Sequence, residues 1–287
     1  MRNQKKSLKK INILFMVLSI LLFSTAWIMQ KNETITGILI TEYGFVFLLP
    51  ILYLFYYDFS IKDYISVDLL SWSELGEIFA VMILVYPLLL IFHGVSGFSL
   101  RDTVTSLTMP RGNLKVLSMV LLMVFTPAIC EELAFRGVFL NNYKELGKET
   151  AIVLSGIYFA MFHRYFFQFP HAFALGLILG YLAWEKQNLF AAIWGHFAYN
   201  ALSFILNYRL SRENINLNYI SHISLMDGIV LLIMLISLVI VFTYILFWWK
   251  KPQWSMKNLI QGLKQMRLKE SWPILFTFIL YILVNVF

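Results

Sequence analysis

Long apolar runs separated by short polar segments organise this chain. Crossing the hydrocarbon of a bilayer takes about 20 apolar residues. Runs of that kind fall near 11–30, 35–57, 75–96, 115–140, 150–169, 171–186, 188–207, 226–249 and 272–287. Backbone in lipid must satisfy its own hydrogen bonds, and runs this long do so as helices. The pattern therefore predicts an all-α fold, a polytopic transmembrane helical bundle of about 8–9 spans. The runs at 171–186 and 272–287 are short enough to be tilted, re-entrant or interfacial. Before the last run, Trp254, Met256, Leu259, Ile260, Leu263 and Met266 alternate with basic residues. That spacing predicts a helix over 252–268 lying on the membrane surface. Ser271 followed by Trp272 and Pro273 reads as a cap and start for the final span.

Composition narrows the picture to one solvent. Of 287 residues, 60% are hydrophobic and 14% charged, against about a quarter charged in a soluble domain. The whole chain, 1–287, reads as one membrane domain without repeats or low-complexity tracts. The net charge of +7 lies in short segments beside the runs: Arg2, Lys5, Lys6, Lys9 and Lys10 before the first, and Lys250, Lys251, Lys257, Lys264, Arg267 and Lys269 late in the chain. Basic residues so placed mark the cytoplasmic side and contact anionic lipid. They predict a multi-pass protein of the cell membrane with a cytoplasmic N-terminus, and no nucleic-acid partner. Lys62, Lys144, Lys148 and Lys186 fall on the same inner side, while Arg101, Arg111, Arg209 and Arg212 fall in outer loops. The first run is long enough to be a retained span rather than a cleaved signal peptide. The single cysteine, Cys130, allows no internal disulfide and reads as a small apolar filler.

Ionisable side chains inside apolar runs each cost about 2.5–3.5 kcal/mol on insertion scales, so they need a reason. The fourth run reads Thr126-Pro127-Ala128-Ile129-Cys130-Glu131-Glu132-Leu133-Ala134-Phe135-Arg136-Gly137. Glu132 and Arg136, four apart, share a face and suit an ion pair. Glu131 points about 100° away, without a local partner, and is the candidate general base. Pro127 predicts a kink just before the acids. The fifth run carries Phe159 and His163 one turn apart; the seventh carries His196 and Asn200 at the same spacing. Singly, each has a plainer explanation: a buried histidine is usually a helix contact, and an amide can hold two helices together. Jointly they supply a base, two imidazoles and a carboxamide, the groups that activate water and stabilise an oxyanion. No serine or cysteine nucleophile with a nearby base accompanies them, which favours direct attack by water.

These three motifs, Glu131-Glu132-x-x-x-Arg136, Phe159-x-x-x-His163 and His196-x-x-x-Asn200, resemble those of the CPBP family, the CAAX protease and bacteriocin-processing group that includes the Abi proteins. The resemblance covers about 115–207, which it implies is the catalytic core. It implies that Glu131 and His163 activate a water. His196 and Asn200 steady the tetrahedral intermediate, Glu132 with Arg136 sets the helix, and Phe159 orients His163. It favours a metal-free mechanism with no cofactor. A zinc ion, if one is used, would take Glu131, His163 and His196, although the spacing is not that of a His-Glu-x-x-His helix. The implied substrate is a peptide or protein in or at the membrane, as in bacteriocin immunity or peptide maturation.

Two other classes remain. A non-catalytic immunity or scaffold protein would use the same fold to bind a partner. A transporter or proton relay would place ionisable groups in the membrane too, but the inverted repeats usual in transporters are absent. The run boundaries set a further condition: Glu131 falls on the cytoplasmic side of centre and His163 on the outer side. A shared site therefore requires the fifth run to be shifted or the helices to be tilted.

Overall fold

The computed structural model describes residues 8–26, 28–29, 34–95, 113–212 and 254–286. Among them there is helix and no strand. The helices are α1 (8–26), α2 (34–56), the short α3 (Ile61–Tyr64), α4 (Trp72–Val95) and α5 (113–143). They continue as α6 (Lys148–Phe162), α7 (Phe169–Lys186), α8 (Leu189–Arg212), α9 (Met256–Gln265) and α10 (Leu268–Val286). Seven stretches of described residues are long and apolar enough to cross a bilayer: Leu8–Thr25, Ile35–Tyr56, Trp72–Leu89, Val116–Leu146, Phe166–Lys186, Leu189–Arg209 and Lys269–Val286. The protein is thus an all-α polytopic membrane bundle. The expected span at 226–249, and Arg2, Lys5, Lys6, Arg101, Arg111, Lys250 and Lys251, lie outside the described residues.

One expected span differs. The run at 150–169 is not a single crossing helix: α6 has 15 residues and stops at Phe162. Twelve of them, from Glu149 to Phe162, are buried. Hydropathy cannot separate a helix surrounded by other helices from one surrounded by lipid, and α6 is the former. After it the chain turns through His163–Gln168, where Arg164 takes a left-handed backbone (φ 64°), and Pro170 opens α7. The turn exposes Tyr165, Phe166 and Phe167, residues suited to a membrane–water interface.

The helix α5 is not a regular α-helix. Residues Leu121–Phe125 and Leu133–Phe139 form wider, π-helical turns on either side of the Thr126–Glu132 segment. The first directly precedes Pro127, whose ring has no N–H to give and crowds the carbonyl one turn back. The second loosens the backbone ladder, and side chains take up its carbonyls. Ser155 Oγ donates to Phe135 O (2.9 Å), Asn141 Nδ2 to Gly137 O (2.7 Å), and Asn142 Nδ2 to Val138 O (2.9 Å). In lipid this compensation is what permits a non-ideal turn.

Polar links tie the basic end of the bundle together. Asn12 of α1 accepts from Tyr143 of α5 and Tyr158 of α6, and donates to Glu270 O of α10 (2.7 Å). Lys148 pairs with Glu185, and Lys186 with Glu74 (2.8 Å). The helix α9 docks on the start of α6: Ser255 caps it, and Ser255 N and Asn258 Nδ2 both donate to the buried Glu149 (3.0 and 3.4 Å). Its one buried residue, Gly262, lies so close to Thr150 and Leu146 O that a Cβ there would sit 2.1 Å from Thr150 Oγ1. The outer side of α9 exposes Met256, Ile260 and Leu263. An amphipathic helix where 252–268 predicted one is therefore present.

Candidate functional site

The site is built around Phe159 on α6. Its ring lies 4.4 Å from the Arg136 guanidinium of α5, 4.8 Å from the His163 ring and 5.6 Å from the His196 ring of α8. One aromatic side chain thus touches members of all three motifs, stacking a cation on its face. The depths agree as well. Glu131 lies three turns before Tyr143, about 18 Å from the basic end at 1.5 Å per residue, and His163 about 22 Å along α6. Because α5 runs on to Tyr143, past the expected end of its run at 140, the two come within about 4 Å of the same level, counted at 1.5 Å per residue.

Glu132 and Arg136 form the expected pair, with Arg136 Nη1 donating to Glu132 Oε1 at 2.5 Å and both side chains wholly buried. Arg136 Nη2 donates to Gly176 O on α7 (3.0 Å). That carbonyl is reachable because α6 and α7 cross closely: a Cβ on Gly176 would stand 3.0 Å from Gly156 Cα. His196 Nδ1 donates to the same Glu132 oxygen at 2.8 Å. Glu132 therefore binds two partners and has no exposed surface (0%), whereas Glu131 keeps 7% of its own. Of the two glutamates, Glu131 is the one that keeps some surface of its own.

The histidines are oriented by what they touch. His163 Nδ1 lies 2.9 Å from Phe159 O. A carbonyl only accepts, so Nδ1 carries the proton and Nε2 presents a lone pair. His196, donating through Nδ1, has Nε2 turned from Glu132. Asn200, half-buried, stands one turn further along the same face of α8. Cys130 is buried and free, beside Glu131 in sequence.

Two residues that the sequence analysis passed over belong to this region. Glu42, on a π-helical turn of α2 (Ile40–Phe47), is 6% exposed and within electrostatic reach of Glu131. An acid in an apolar run was the available signal; its place near one end of that run hid its burial. His171, at the start of α7, is buried and bonded through Nε2 to Tyr199 on α8. As for zinc, among the described residues no three His, Cys, Asp or Glu side chains gather as a ligand set.

Fold and site together define a class: a polytopic helical membrane protein with a carboxylate–imidazole–guanidinium centre buried between its helices. Residues 113–202 match the family model described as Type II CAAX prenyl endopeptidase Rce1-like, so the CPBP resemblance is shown over that segment. The match supports the fold of a CAAX-type intramembrane protease. No curated protein and no solved structure matches the chain.

Proposed function

We propose that the protein is an intramembrane endopeptidase whose hydrolytic core is the segment 115–207 of a single membrane domain. The observation that carries this reading is the division of labour between adjacent glutamates. Glu132 is closed off by Arg136 and His196, while Glu131, within the family-matched segment, keeps some exposed surface. In the proposed reaction a water held by Glu131 and His163 Nε2 attacks the scissile carbonyl carbon. Glu131 takes the water's proton, and the oxyanion is met by Asn200 Nδ2 and by His196, which donates to it only while Nε2 as well as Nδ1 carries a proton. Glu131 then delivers its proton to the leaving nitrogen as the C–N bond breaks. Arg136, Glu132 and Phe159 hold the histidines in place and touch no reacting atom.

The substrate is a peptide or protein in or at the membrane, with bacteriocin immunity or peptide maturation as the biological setting and a prenylated tail as one substrate form. Anionic lipid meets the basic end and the outer side of α9. That end carries Lys10, Lys62, Lys144, Lys148, Lys186 and Lys257 and faces the cytoplasm on this reading. The test is cleavage of membrane peptides by purified protein in proteoliposomes. Wild type is expected to cut, with chelator present or absent, and Glu131→Gln to lose about 10²–10⁴-fold in rate while remaining folded. Full cellular function in Glu131→Gln would overturn the reading in favour of a non-catalytic binding role.

A further inference from the structure

Glu42 and Glu131 approach one another from different helices. The π-helical turn Ile40–Phe47 of α2 packs against the Thr126–Glu132 segment of α5. Tyr43 OH and Thr126 Oγ1, 3.1 Å apart, hydrogen-bond and fix the register between the two. Each carboxyl is more than nine-tenths buried, with 6% and 7% of its residue exposed. Each has an oxygen, Glu42 Oε2 and Glu131 Oε2, that is buried without a hydrogen-bond partner among the described residues. Two acids placed so would be a liability if nothing joined them.

The groups around the pair decide what can join them. From α5 come Cys130, Glu132 and Arg136, and from α8 His196. Arg136 is held at 2.5 Å by Glu132 and also by Gly176 O, so its charge is already matched. Residues 34–56 of α2 contain no Lys, Arg or His. Two carboxylates brought together in a low-dielectric site disfavour double ionisation, and a proton shared between them relieves it. A protonated carboxyl donates and the other accepts, an arrangement that would satisfy both orphan oxygens at once.

We propose that Glu42 is a positioning residue for Glu131: its protonated carboxyl donates a hydrogen bond to Glu131 Oε2, directly or through one water, and turns the other oxygen toward the substrate water. The inference rests on Glu131 being the base. Glu42 keeps its own proton throughout turnover. The proton taken from water goes to Glu131 and leaves on the departing amine, so the pair ends each cycle as it began.

The experiment compares wild type, Glu42→Gln, Glu42→Leu and Glu131→Gln in proteoliposomes, by cleavage kinetics and by infrared spectroscopy at neutral pH. Glutamine keeps a donor at position 42, and leucine fills the space without one. Glu42→Leu is expected to lose on the order of 10²-fold in kcat with KM little changed, as misplacement of a reacting group does, while Glu42→Gln keeps the larger part of kcat. The infrared band of a protonated carboxyl is expected in wild type and absent from Glu42→Gln. Glu42→Leu cutting like wild type, or a band that persists in Glu42→Gln, overturns the inference and leaves the protease reading intact. Equal loss in both Glu42 variants overturns it too. An active Glu131→Gln sinks the base assignment, and this inference with it.

Discussion

Arg136 makes three contacts that no other side chain would make together: a charged hydrogen bond to Glu132, a second to Gly176 O, and a stack on Phe159. A planar fork suits this, and a lysine, which offers a point charge, does not. Removing one member of a wholly buried pair leaves an uncompensated charge, at a cost of about 3–5 kcal/mol. Thermal unfolding in detergent is expected to show such a loss for Arg136→Ala and for Glu132→Ala. The joint change Glu132→Leu with Arg136→Met is expected to recover most of it, because it leaves no charge behind; a double variant as unstable as the two singles added would mean that the pair does not act as a unit. This pairing was legible in the sequence as an i, i+4 spacing, and so were the His163 and His196 turns. That His196 bonds Glu132 rather than Glu131 was not, since adjacent residues on one helix differ only in direction, and direction across a helix interface depends on how α5 and α8 cross. Glu42 was missed for a related reason: a linear hydropathy profile measures distance from the end of a run, not what another helix places beside it.

At the scale of elements, the site depends on irregularity that composition does not encode. The apolar runs located α1, α2, α4, α5, α7, α8 and α10 because lipid imposes a length on every helix that crosses it. They overextended α6, which answers to its neighbours and not to the bilayer. They were silent on the π-helical turns, whose only trace was Pro127. The close crossing of α6 and α7 is similarly hidden in two ordinary glycines. It can be tested there. A methyl group at Gly176 meets the Gly156 backbone at 3.0 and 3.2 Å, so Gly176→Ala must push the helices apart and carry Gly176 O from Arg136. Overpacking of this kind costs about 1–3 kcal/mol, and the change is expected to lower both melting temperature and cleavage rate. Gly76→Ala on α4 meets nothing within 4 Å and is expected to be neutral or to stabilise by up to about 1 kcal/mol, as helix propensity dictates. If the two substitutions behaved alike, the α6–α7 crossing would not be tight enough to hold the Arg136 contact.

Over the whole molecule, the charged and aromatic ends of the bundle are separated along the helices that join them. The α7 helix, 18 residues long, spans about 27 Å, close to the roughly 30 Å of a bilayer's hydrocarbon. At one end of it stand Lys186 and its partner Glu74, near the docked α9 with Lys257 and Lys264; at the other stand Phe166, Phe167 and the last turn of α10, linked by Phe166 N donating to Asn285 Oδ1 (2.7 Å). On the proposed orientation the basic residues mark the first end as cytoplasmic, and the protein supplies its own quiet background for a test, because Cys130 is wholly buried. A membrane-impermeant maleimide applied to intact cells is expected to label Phe167→Cys and to spare Lys257→Cys, which should react only after permeabilisation. The reverse pattern would invert the bundle. It would also reverse the side from which a substrate approaches, because Glu131 and His163, some 18–22 Å from the basic end, lie nearer the aromatic one. Orientation and chemistry are thus joined: with the lysines inside, the proposed water-activating pair lies nearer the face where the aromatic turn meets the lipid surface.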